Sequence, residues 1–283
     1  MDWVVTALGF LGSVVKMTAI YLFILMGPGL LLALLLHYVH KLVEVNAWTL
    51  FGRRAYLLFF GGLGTMLHEL GHALMCPLFG HRIDKIELFN PDPQTGVLGY
   101  VSHSYNPNSL WASTGNFFIG IGPLLLGSLL VYAAAYWLFS ETFFAPFQQL
   151  IISHESLSSW AAFVAFLSEV QLAFTQLFSD LFTREKLLSW QFWVFFYLLF
   201  TLGSSMSLSP ADIQGALQGF VVIVMVFVLI SVVTLISKGE VDTLWVTNLA
   251  SSYSVIYSVL LLVIGLNVLL VLPLLVLRLF FRR

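Results

Sequence analysis

Two histidines four residues apart, with a glutamate between them, stand in the stretch His68-Glu69-Leu70-Gly71-His72 of an otherwise apolar segment. On a helix, positions i and i+4 share a face, so both imidazoles can reach one ion. Glu69 sits one step round, placed to take a proton from a water at that ion rather than to bind it. This His-Glu-x-x-His spacing is the arrangement of zinc hydrolases. A match this short can arise by chance, but chance matches should fall mostly in polar sequence. Here Tyr56-Leu57-Leu58-Phe59-Phe60 precedes it and Leu78-Phe79 follows. Ionisable groups at membrane depth are costly when unpaired, which marks these residues as functional candidates. The competing account satisfies the two histidines from neighbouring helices, with Glu69 as their counter-ion.

The elements that must position these groups are membrane helices. Of the 283 residues, 59% are hydrophobic and 9% charged, and mean hydropathy is +0.95. Soluble domains carry about 25% charged residues, so the composition is that of an integral, multi-pass membrane protein, in the cytoplasmic membrane if the source is bacterial. The net charge of -2 gives no basis for nucleic-acid binding. The sole cysteine, Cys76, excludes an intramolecular disulfide and a multi-cysteine zinc site. No basic n-region precedes the first apolar run, so no cleaved signal peptide is expected. With no repeat and no soluble segment, residues 1–283 read as a single membrane-embedded domain.

The hydropathy pattern predicts an all-α polytopic fold of about six spans, at about 17–36, 55–79, 110–139, 189–206, 211–236 and 249–279. His37, His40, Lys41 and Glu44 mark the exit of the first span, where a wet headgroup layer accounts for them. In the loop 80–109, the turn cluster Asn90-Pro91-Asp92-Pro93-Gln94-Thr95-Gly96 separates two short apolar runs, which reads as a small β-hairpin beside the metal. Its free edge, Val97, Leu98, Gly99, Tyr100 and Val101, could pair with an extended peptide and present the backbone for cutting. A plain connecting hairpin is the alternative. The segment 157–182 is amphipathic at helical spacing and is expected to lie in the interface, as scaffold or as a gate.

A catalytic zinc takes three protein ligands and a water. Asp212 is the candidate for the third. With six spans, the loops 80–109 and 203–211 fall on one side, and Asp212 opens the fifth span from the side nearest His72. A local account also exists: Ser209-Pro210-Ala211-Asp212 reads as an N-cap, a proline at N1 and an acid at N3. Glu169, Asp180 and His103 are the remaining candidates. The lysines and arginines divide evenly. Lys16, Arg82, Lys85, Arg278, Arg282 and Arg283 fall on one side, and Lys41, Arg53, Arg54, Arg184, Lys186 and Lys238 on the other. Charge therefore gives the orientation no vote.

These residues resemble the site-2 protease family of intramembrane zinc metalloproteases. His68-Glu69-Leu70-Gly71-His72-Ala73 is similar to the family's zinc helix. The segments 80–88 and 96–101 resemble its β-hairpin, and Gly120-Ile121-Gly122-Pro123-Leu124 the start of its next core helix. Ser209-Pro210-Ala211-Asp212 resembles the segment holding the third ligand. Leu126 stands where the family often has asparagine, and Ile213 rather than glycine follows Asp212. The resemblance implies Zn²⁺ on His68, His72 and Asp212, nearer the cytosolic face, with both termini in the cytosol.

The expected function is zinc-dependent hydrolysis of peptide bonds in membrane-anchored protein substrates, in or near the lipid bilayer, with Glu69 as the general base. It leaves room for a regulatory partner. A non-proteolytic membrane scaffold or subunit that retains a zinc-protease-like helix is the alternative. A transporter would spread ionisable residues over several spans, whereas here they concentrate in one.

Overall fold

The computed structural model describes residues 2–92, 97–148, 150, 152–238, 242–252 and 254–281. The hairpin apex at 93–96 and the two terminal arginines lie outside the described residues. Helix α1 (Asp2–Phe51) continues through Pro28. Next come α2 (Arg53–Tyr56), one π-helical turn (Leu57–Gly61) and α3 (Gly62–Leu78). Strands β1 (Arg82–Glu87) and β2 (Tyr100–Ser104) follow, then α4 (Leu110–Gly120), α5 (Gly122–Leu138) and α6 (Ala145–Gln148). The chain goes on through α7 (Trp160–Leu181), α8 (Arg184–Leu187), α9 (Trp190–Ser205), α10 (Pro210–Lys238), α11 (Leu244–Ser251) and α12 (Ser254–Phe281).

Among the described residues the fold is helical apart from one small two-stranded sheet, as expected. Among the described residues, α1, α7, α10 and α12 are long and apolar enough to cross a membrane. The pair α4 and α5, bent by 55°, makes a fifth if it counts as one span. This is fewer than six. Helix α3 has 17 residues and α9 has 16, short of the roughly 20 that a bilayer core requires. Helix α7, expected in the interface, has 22 residues and is among the four. It buries Ala173, Leu177 and Leu181, and Phe174 and Phe178 press on α12 at Gly265.

Contacts between helices fix their directions. Tyr197 Oη donates to the Phe59 carbonyl and His68 reaches the Ser205 carbonyl, so α9 runs parallel to α3. Trp111 donates to the Leu78 carbonyl and His72 reaches that of Ile119, so α4 is antiparallel to α3. Gly120 lies against Asp212 and Gly219 against Phe117, so α10 is antiparallel to α4. Helices α9 and α10 therefore run the same way. The polar stretch between them is a bend in one path, not a reversal between two spans. The side-counting expectation for Asp212 is corrected accordingly: the chain passes the metal motif instead of re-entering beside it. Helix α12 is parallel to α1, through Tyr257 to Leu25, Asn267 to His40 and Arg278 to Asn46. The far ends of α1 and α12 thus lie at opposite ends of this pair, against the expectation of both termini on one side. Arg278 joins the Lys41 end. Lys238 joins the Lys16 end, because Thr18 bonds Ser231 and Tyr21 bonds the Asp242 carbonyl. One residue changes end in each direction, so the exchange by itself does not alter the count of positive charge at either end, and charge still gives the orientation no vote.

Two backbone contacts hold the site together. A Cβ on Gly71 would lie 2.6 Å from the backbone of Pro123, and one on Gly122 2.5 Å from the Gly71 carbonyl oxygen. Helices α3 and α5 cross there with no room for a side chain. A Cβ on Gly219 would lie 2.3 Å from the Phe117 nitrogen, which clamps α10 to α4. Gly71→Val is expected to destabilise the protein by about 1–3 kcal/mol through overpacking. Thermal unfolding in detergent would show this as a lowered Tm.

Candidate metal centre

Helix α3 presents His68 and His72 one turn apart. Each imidazole is oriented through Nδ1. His68 Nδ1 lies 2.8 Å from the Ser205 carbonyl oxygen, and His72 Nδ1 lies 2.7 Å from that of Ile119. A carbonyl oxygen only accepts, so both Nδ1 atoms carry the hydrogen, and a neutral ring held in this way presents a bare Nε2. Those two nitrogens face each other at 3.1 Å.

Asp212 completes the group. Its Oδ1 is 3.0 Å from His72 Nε2 and its Oδ2 is 3.3 Å from His68 Nε2. Three acceptors that converge on one point repel each other unless a cation lies among them. Four ligands around zinc, with bonds of about 2.0–2.1 Å, stand about 3.3 Å apart, close to the separations found. The donor set therefore fits a metal ion, and among the described residues it is the only group of three that does. Carbonyls on the far ring nitrogens are the usual outer support of metal-bound histidine. The local account of Asp212 also holds: Ser209 N donates to its Oδ2 at 2.6 Å, and Asp212 N donates to Ser209 Oγ at 3.2 Å. One carboxylate both starts α10 and closes the site.

Glu69 is buried, at 8% exposure, yet lines the same cavity of about 950 Å³. Its carboxylate has no hydrogen-bond partner among the described residues. The hairpin packs back along α3: Phe89 touches Gly62, and a Cβ on Gly99 would come within 3.0 Å of Glu69 Cγ. Val97, Leu98, Gly99, Tyr100 and Val101 all line the cavity. The ladder pairs Ile83 with His103 and Glu87 with Tyr100. It continues in hydrogen bonds from Asn90 N to Leu98 O and from Asp92 N to Val97 O. The second strand thus starts at Tyr100, later than the apolar run suggested.

Of the other candidates, Glu169 is exposed on α7, and Asp180 pairs with Lys186. Cys76 is buried outside the triad. His103 lines the cavity but engages His81, with the Nδ1 atoms 2.9 Å apart. Burial, and then the proximity of His81, hold the His103 imidazole below its ordinary 6.5. The folded hairpin therefore favours neutral His103. That contribution is present above 6.5 and is lost as pH falls through the lower folded-state value. The hydrogen-exchange protection of the Ile83 amide is expected to be flat above 6.5 and to decline below it. A flat profile through the acid range would contradict this.

The reading of the first span's polar end as headgroup-exposed missed part of the site. His37, His40 and Glu44 line the cavity that holds the metal triad, and His40 is only 4% exposed. Their spacing, i, i+3 and i+7, puts them on one face of α1, a signal the sequence carried. Asn116 on α4, buried and lining the cavity, was also missed. Comparison of the chain with protein-family models, curated proteins and solved structures gives no match.

Proposed function

We propose that this chain is a membrane-embedded zinc endopeptidase acting on membrane-anchored polypeptides. The observation that carries the reading is the convergence of two imidazole nitrogens and a carboxylate, with a second acid, Glu69, beside them in a cavity edged by a β-strand. His68, His72 and Asp212 would hold the ion. When bound, zinc would polarise a scissile carbonyl and lower the pKa of a water towards 7. Glu69 takes the proton from the attacking water and delivers it to the leaving amine. The segment Val97–Val101 offers backbone to an extended substrate, replacing the hydrogen bonds that a helical substrate loses when it unwinds. Gly99 lets that strand approach Glu69 closely enough for the paired peptide bond to face the acid. The polar bend at 204–212 lines the cavity, where irregular backbone is tolerated at membrane depth.

The test is cleavage of a membrane-anchored polypeptide by the purified protein. A zinc chelator should abolish cleavage, and added Zn²⁺ should restore it. Cleavage indifferent to the chelator would remove the metal from the reaction.

A further inference from the structure

We infer that the end of the cavity at Glu44 binds a basic side chain of the substrate, a lysine or arginine at one fixed position about three residues or more from the scissile bond. This rests on the endopeptidase reading. Glu44 lines the cavity, half-buried, and makes no hydrogen bond or ion pair among the described residues. Lys41 and Arg53 act on it only at longer range, and neither lines the cavity. Among the described residues the lining carries the acids Glu44, Glu69 and Asp212 and no lysine or arginine. An ion of charge +2 at the triad offsets two of these acids and leaves Glu44 without a positive partner inside the cavity. A half-buried carboxylate is costly unless it is paired.

His40 completes the picture. Asn267 Nδ2 donates to the Val263 carbonyl at 2.8 Å, so its Oδ1 is the atom turned to His40 Nδ1, at 3.2 Å. His40 Nδ1 therefore carries the hydrogen, and Nε2 is left as an acceptor. Glu44 and neutral His40 thus contribute acceptors alone, and lysine and arginine side chains are donors alone.

The position follows from α1. His37 Nδ1 lies 3.3 Å from Ser207 Oγ, two residues beyond the Ser205 carbonyl that orients His68. Glu44 lies two turns further along α1, about 10 Å on. An extended strand covers that distance in about three residues, so the basic side chain stands at least that far from the bond held at the triad.

The test uses metal-loaded Glu69→Gln protein in detergent and labelled extended peptides of leucine, alanine and glycine. In each peptide one position is lysine, norleucine or glutamate, moved through the sequence in turn. The lysine peptide should bind about tenfold tighter than its norleucine twin at one position only. That preference should vanish on adding Glu44→Gln and pass to the glutamate peptide on adding Glu44→Lys. Unchanged metal stoichiometry reports that each variant is folded. Absence of a lysine preference, absence of binding, or a preference that survives Glu44→Gln would overturn the proposal. Binding does not require catalysis, so the two readings fail separately: a protein with Glu69 intact that binds these peptides and leaves them whole counts against the endopeptidase alone.

Discussion

Replacing Glu69 with glutamine is expected to end cleavage of a membrane-anchored polypeptide while the protein keeps its metal. Glutamine preserves the shape of the side chain and its packing on Gly99, but it cannot accept the proton of the attacking water. Positioned general bases contribute about 10²–10⁴ in rate, so a loss of at least a hundredfold is expected. Metal content should not change, because the three groups that converge on the ion are His68, His72 and Asp212. Cleavage at the original rate would defeat the assigned role of Glu69.

The second large effect is at Asp212, which does two jobs that two substitutions separate. Asp212→Asn keeps an oxygen for the Ser209 amide and so preserves the start of α10. It removes the anionic ligand, and metal affinity should fall by about a hundredfold or more, with activity following. Asp212→Ala removes both, and about 1 kcal/mol of helix-start stability should go as well. Equilibrium dialysis against zinc measures the first effect, and thermal unfolding of the metal-free proteins measures the second. An Asp212→Asn protein with undiminished affinity would reduce Asp212 to the start of a helix.

The legible part of the site was the part carried by local geometry. His68 and His72 are four residues apart on one helix, and that spacing alone puts them on one face. The hairpin was legible because its turn cluster is rich in proline, asparagine and aspartate, although its apex lies outside the described residues. Asp212 was identified correctly as a neighbour of the histidines, by an argument that did not hold. The sequence pattern suggested that α9 and α10 reverse at the polar stretch 204–212, whereas the contacts of His68 with Ser205 and of Gly120 with Asp212 make them run the same way. A polar break between two apolar runs looks the same in sequence whether the chain turns back or only bends.

His37, His40 and Glu44 were misplaced for a related reason. Charge at the end of an apolar run reads as interface, and only the packing of Asn267 and Ser207 on that face shows that His37 and His40 turn inward. Likewise Phe174 and Phe178 of α7 looked like the apolar stripe of an interfacial helix until α12 supplied Gly265 to receive them. Span counting failed where helices are shorter than a bilayer but cradled by neighbours, as α3 is by α4, α5 and α9.

The most direct measurement is an anomalous difference map collected at the zinc edge on crystals of the purified protein. One peak per chain is expected, about 2.0–2.2 Å from His68 Nε2, His72 Nε2 and an oxygen of Asp212. A zinc-loaded crystal with no peak among these three groups, their close approach being explained by a protonated imidazole on the carboxylate, would contradict the metal centre and the chemistry built on it.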